Sequence, residues 1–183
     1  MGYTHYWDQN TDFNNLQWHN LCNFVRAGVN VLNSGQQNVI CNGLGEFWSF
    51  PTVTETEISF NGRGSKACET FWLERLKPEP QEYQFKDERY SGLPAKDVPT
   101  FNCCKTRKQP YDTMVMATLL YAAEVDNGKQ VLSLSTDGDH NDWLAGVELY
   151  NNIVENIKIT CPPSFERRRT RKELIMRVFG EAA

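Results

Sequence analysis

Apolar residues recur along the chain at two spacings, and the switches between them mark out the elements. Residues 2–7 alternate and are rich in aromatics, which predicts a short strand. Phe13, Leu16, Leu21, Phe24, Val25, Gly28 and Leu32 follow at helical spacing, with Thr11 as N-cap, Asp12 in the first turn and a stop near residues 33–35. Residues 39–41 predict another short strand. Residues 42–46 are glycine-rich but open no helix, so they form no phosphate loop of the usual kind. Residues 55–60 and 68–73 read as a pair of strands joined by the turn-forming stretch 61–66.

Residues 77–99 are polar, hold Pro78, Pro80, Pro94 and Pro99, and read as a lid or a plain surface excursion. Residues 101–104 predict a strand. Pro110 suits the first position of a second helix, with Asp112 in the first turn, where the helix dipole favours an anion. Met114, Val115, Leu119, Tyr121, Ala122 and Val125 run through that helix, and residues 126–128 end it. Residues 131–135, with Val131, Leu132 and Leu134, read as a near-continuous apolar strand expected to be central. A third helix starts around residues 141–143 and runs through Val154. Residues 157–161 read as a final strand, Pro162 and Pro163 break the chain, and residues 164–179 predict a last, basic helix. These elements predict an α+β fold: a mixed, largely antiparallel sheet with about four helices packed on it. One domain spans 1–163, and a basic helix and tail occupy 164–183.

Composition sets limits on what such a fold does. The chain has 183 residues, 40% apolar and 23% charged, enough to bury a core without a disulfide or metal staple. No apolar run reaches the length of a membrane span, and the first residues lack the basic and apolar regions of a signal peptide, so the expected location is the cytoplasm. A net charge of −4 argues against a general nucleic-acid coat. The basic residues Arg167, Arg168, Arg169, Arg171, Lys172 and Arg177 concentrate in the tail, where they suit an acidic partner, a phosphate backbone or the chain's own acidic surface. Cys22, Cys41, Cys68, Cys103, Cys104 and Cys161 form no C-x-x-C pair and read as small core residues in a reducing compartment.

Three stretches hold more polar function than turns require. In residues 61–71, glycines allow close backbone approach while Arg63, Lys66 and Glu69 supply charge. In residues 104–112, Lys105, Arg107 and Lys108 precede a helix N-terminus, with Tyr111 and Asp112 beside them, a pattern suited to an anion. In residues 135–143, a strand ends and a helix begins, and clefts at strand ends are common ligand positions. There Asp137, Asp139, Asn141 and Glu148 imitate the ligand spacing of a calcium loop, though Asp142 stands where that loop wants glycine. The competing reading is that Asp139 or Asn141 caps the helix.

His5, among aromatics, reads as a buried hydrogen-bonded ring, and His19 as a surface or edge residue. Nothing in the spacing forbids His5 and His140 from meeting as acid and base, or as ligands with Asp137, and nothing demands it. No G-x-S-x-G, H-E-x-x-H or P-loop pattern occurs.

The opening Met1-Gly2-Tyr3-Thr4-His5-Tyr6-Trp7 resembles the start of a family of uncharacterised proteins from phages, prophages and metagenomes. Parts of residues 60–71, 104–112 and 137–143 are similar to further segments of that family. The resemblance carries no catalytic role and implies a protein acting inside a bacterial host cell.

The expected function is binding, and conceivably cleavage, of a phosphorylated small molecule such as a nucleotide in a polar pocket where the three stretches converge. Its residues would be His5, Arg63, Lys66, Glu69, Lys105, Arg107, Tyr111, Asp112, Asp137 and Trp143, with Tyr6, Trp7, Tyr111 and Trp143 able to stack on a base. A divalent cation, Ca²⁺ or Mg²⁺, would sit at Asp137, Asp139, Asn141 and Glu148. The alternative is an interaction protein without enzymatic activity that inhibits a bacterial defence enzyme, its partner a host protein. Nucleic acid and membrane are not expected as partners.

Overall fold

A computed structural model describes residues 2–34, 38–124 and 131–156. The predicted strand 157–161, the basic helix 164–179, Cys161 and the helix stop at 126–128 lie outside those residues. Two antiparallel sheets and three α-helices build one α+β domain among the described residues, against about four helices expected. Among the described residues every strand pair is antiparallel, where a mixed, largely antiparallel sheet was expected.

The first strand, β1 (Thr4–Gln9), has the predicted length but lies two residues further along than the alternating stretch 2–7. Its burial alternates: His5, Trp7 and Gln9 are buried on one face, while Tyr6 and Asp8 are half-buried on the other. Helix α1 (Asn15–Asn33) follows, and its N-cap is Asn14 rather than Thr11. Asn14 accepts from the Gln17 N–H, and the Gln17 side chain accepts from the Asn14 N–H, which closes a capping box. Phe13 just before the cap packs on Trp18, ring centroids 5.5 Å apart, as a hydrophobic staple. That reciprocal pair satisfies two helix-end donors at once, which Thr11 could not do from three residues upstream.

Strands β2 (Ile40–Cys41), β3 (Thr52–Val53) and β5 (Phe71–Glu74) all pair with β4 (Glu57–Gly62). The predicted hairpin is β4–β5, with Phe60 opposite Phe71. The proline-rich excursion holds three short 3-10 turns and is pinned at its base. There the Lys77 ammonium donates to the carbonyls of Ala95, Lys96 and Val98, and the Gln84 amide donates to Pro99.

Strand β6 (Thr100–Lys105), helix α2 (Asp112–Glu124), strand β7 (Leu132–Thr136) and helix α3 (Leu144–Asn156) complete the described chain. The three-stranded sheet has the order β6-β1-β7. The central strand is thus β1, and β7 stands at an edge among the described residues, contrary to the expectation from its apolar run. Those apolar residues cover helix α2 on one side only. Helix α2 is buried almost all round, as its run of Met, Val, Ala and Leu requires. Phe24 of α1 stacks on Tyr121 of α2 with centroids 4.2 Å apart, and Tyr150 of α3 closes the cluster. Helix α3 approaches so closely that a Cβ on Gly146 would lie 2.4 Å from the Met116 Cβ.

Cys22, Cys41 and Cys104 are buried as expected, but Cys103 is exposed on the outer face of the sheet. Among the described residues, no helix is long and apolar enough to cross a membrane.

Candidate functional site

Strand β1 begins where β6 and β7 end, so the β6–α2 and β7–α3 connections meet over the first residues of β1. His5 lies at the centre of this end. Its Nε2 is 2.7 Å from the Asp112 Oδ1, and its Nδ1 is 3.1 Å from the Thr136 hydroxyl. A carboxylate only accepts, so Nε2 carries the hydrogen. The Thr136 hydroxyl accepts from the Gly138 N–H, and its own hydrogen is shared between Nδ1 at 3.1 Å and the Thr4 carbonyl at 3.4 Å. Tyr3 and Trp143 present edge contacts to the ring, at 5.1 and 5.0 Å between centroids. The ring is fully buried. One imidazole therefore ties the start of β1 to the first residue of α2 and to the last residue of β7.

With both nitrogens engaged and no exposure, the ring presents no free atom to a ligand. His5 is a positioning group here, and it does not meet His140, which is exposed in the β7–α3 turn. His19 is exposed and bonded to Asn23, in keeping with its expected surface place.

The β6–α2 connection is wrapped around Tyr3. Its carbonyl accepts from the N–H groups of Thr106 and Arg107. Gln109 N–H bonds to Thr106 O at 3.1 Å, and the two residues between them, Arg107 (φ 54°) and Lys108 (φ 55°), are both left-handed. Two positive φ values inside an i to i+3 bond are the mark of a type I′ turn, which normally takes Gly, Asn or Asp. Lys108 extends over the Tyr3 ring, its ammonium 4.6 Å from the centroid, and reaches the Asp142 carboxylate. That ammonium holds the Asp142 carboxyl below its usual range. Arg107 is exposed, and its guanidinium has no partner among the described residues.

The Tyr3 phenol is buried beside the Thr136 side chain. Burial first, and then the nearby Asp112 and Asp142, raise its pKa, so it remains a neutral donor. It fits only because residue 138 is glycine: a Cβ there would lie 2.4 Å from the Tyr3 oxygen.

The ten expected ligand residues do not converge on one pocket; they divide into five sets. His5, Asp112 and Trp143 come together in the buried knot just described. Glu69 and Tyr111 join the first stretch to the second: the Glu69 carboxylate accepts from the Lys105 N–H at 2.7 Å, and the Tyr111 hydroxyl donates to Glu69 O at 2.7 Å. Both are thereby committed to holding the backbone. Arg63 and Lys66 line a separate cleft with Val39, Phe47, Ser65 and Pro110, and the Arg63 guanidinium donates to the carbonyls of Phe47 and Ile40. Asp137 accepts from the Tyr6 hydroxyl at 3.1 Å. Because Tyr6 projects on the face of β1 opposite His5, that contact draws Asp137 away from the knot. Lys105 and Arg107 stand at the mouth.

The aromatics expected to stack on a base are not available for it. Trp7, Tyr111 and Trp143 are buried, and Tyr6 is stacked on Phe101. The residues with calcium-loop spacing do not converge either. Asp139 accepts from the N–H groups of Asn141 and Asp142, a local turn cap, and Glu148 lies within α3. Among the described residues, no group of three or more His, Cys, Asp or Glu side chains is placed to hold a metal ion. Sequence reasoning missed Tyr3 and Thr136 as organisers of the site. The signal for both was proximity in a β ladder, which spacing along the chain does not show.

No family model, curated protein or solved structure matches this chain.

Proposed function

We propose that this chain binds a phosphorylated small molecule, nucleotides included in the class, through its phosphate end at the β6–α2 turn. Arg107 is the principal anion contact, and Lys105 and Lys108 add positive charge. The observation that carries this reading is the left-handed pair Arg107–Lys108. A side chain in that conformation costs about 1–2 kcal/mol relative to glycine, and glycine, asparagine or aspartate would make the same turn more cheaply. What arginine adds is a cation fixed on a rigid support, with five donors able to grip a phosphate in two places. The support is rigid because the turn is bonded to Tyr3 O and because Asp112, three residues after the turn, is locked to His5.

Binding is favoured over cleavage, since His5 is buried with both nitrogens engaged and the exposed His140 does not meet it. A phage-type protein of this kind would act in the bacterial host by sequestering its ligand. Isothermal titration of the full chain with inorganic phosphate, a simple phosphate monoester and a panel of nucleotides, with and without Mg²⁺, tests the reading. Saturable binding that weakens at least tenfold in Arg107→Ala is expected. Absence of binding at millimolar ligand, or binding indifferent to Arg107→Ala, overturns it.

A further inference from the structure

The connection between β2 and β3 presents four large apolar side chains to solvent. Trp48 is 90% exposed, Phe50 84%, Leu44 81% and Phe47 60%. Scattered exposed apolar residues are ordinary, but four within seven positions are a contiguous patch that calls for a partner. The loop holding them is firmly built. Gly43 O accepts from the Asn61 amide and from the Thr70 hydroxyl, and Gly45 O accepts from the Gly64 N–H. The Asn42 side chain clasps Glu46 through its backbone N–H and its carboxylate, and Ser49 closes the turn on Glu46 O. Arg63 holds the Phe47 carbonyl. A tip fixed in this way loses little freedom on association.

Beside the projecting aromatics lies the cleft of about 510 Å³ whose walls include Val39, Phe47, Ser65, Lys66 and Pro110. Phe47 belongs to both the projection and the cleft, so knob and hole share one face of the molecule. That is the requirement of a two-fold interface, in which the same patch on each copy must be complementary to itself. We propose that two copies of this chain associate through this face, Trp48 of each entering the cleft of the other. The charges are complementary: Glu46 is exposed at the knob and Lys66 is exposed at the hole, so a two-fold arrangement sets each against its opposite. The area also suffices. At roughly 150–250 Å² per aromatic side chain, Phe47, Trp48 and Phe50 supply about half of the ~800 Å² per partner that a specific interface buries, and Leu44 with the cleft walls adds to it.

Sedimentation equilibrium of the full chain between micromolar and half-millimolar concentration tests this, with circular dichroism to confirm that each variant is folded. A mass twice the 21.1 kDa of one chain is expected at the upper concentrations. Trp48→Ser should weaken association by about 30-fold or more, the effect of losing a hot-spot tryptophan. Lys66→Glu should weaken it as well, and the exchange of Glu46→Lys with Lys66→Glu should restore it. A chain that stays monomeric throughout overturns the proposal, as does a dimer indifferent to Trp48→Ser. A monomer that binds phosphatidylcholine or phosphatidylserine vesicles through Trp48 also overturns it, since the occupant is then a lipid surface.

Discussion

Two cation-bearing turns lie side by side on this protein, and they treat their arginines in opposite ways. In the β4–β5 turn, Arg63 is folded back to donate to the carbonyls of Phe47 and Ile40, and so stabilises a neighbouring loop. In the β6–α2 turn, Arg107 projects to solvent from a left-handed backbone and holds nothing among the described residues. One turn uses its cation internally, and the other keeps it available at a conformational cost. Composition alone would rank the two equally as anion sites, so the backbone under each arginine discriminates between them.

The largest test of this contrast concerns what keeps the second turn rigid. Asp112→Ala leaves His5 Nε2–H buried without its acceptor, and an unsatisfied buried donor of this kind costs about 3 kcal/mol. Urea denaturation measures it, and Asp112→Asn, which retains an acceptor, should recover part of the loss. A cost below about 1 kcal/mol would mean that the knot does not anchor the mouth.

A smaller effect is expected where β7 meets Tyr3. Gly138→Ala places a methyl 2.4 Å from the Tyr3 hydroxyl oxygen and should destabilise by about 2 kcal/mol through overpacking. Tyr3→Phe removes that oxygen and with it the close approach. The double variant should therefore lose much less than Gly138→Ala alone, a coupling that a double-mutant cycle reads directly.

At the first turn, Arg63→Ala removes charged donors from two carbonyls and should cost about 1.5 kcal/mol. It should loosen loop 42–51, visible as faster amide exchange there, while phosphate binding at Arg107 stays unchanged. If Arg63→Ala abolished phosphate binding instead, the contrast between the turns would fail, and the Arg63 cleft would be the anion site.

Much of this architecture was legible in the sequence because it rests on local periodicity. The β4–β5 pair and the helices follow from spacing, and the Asn14-x-x-Gln17 box was present as a pattern even though Thr11 was the expected cap. The site was legible only as composition. Asp112 was marked as a first-turn anion, but its partner is a histidine 107 residues earlier, and only strand pairing brings them together. The three aromatics Trp7, Tyr111 and Trp143 were available to either core or ligand on sequence grounds, and burial assigns them to the core. The apolar loop escaped notice because Leu44, Phe47, Trp48 and Phe50 match neither a helix nor a strand period. Four large apolar residues without periodicity, bounded by Gly43 and Pro51, were the signal that something other than the core covers them.

The smallest expected effect is the most discriminating, because stability and binding should move in opposite directions. Arg107→Gly relieves a left-handed side chain worth about 1–2 kcal/mol but gives the unfolded chain extra freedom worth about 0.5–1 kcal/mol. The net expectation is a gain of about 0.5 kcal/mol, a rise of a few degrees in Tm at most. The same change removes the guanidinium and should weaken phosphate binding at least tenfold, the loss of one charge-assisted contact. A residue retained only for the fold would show the reverse pattern, with stability falling and titration unchanged. A protein that became more stable while losing its ligand would show that the strain in this turn is maintained for the cation it presents.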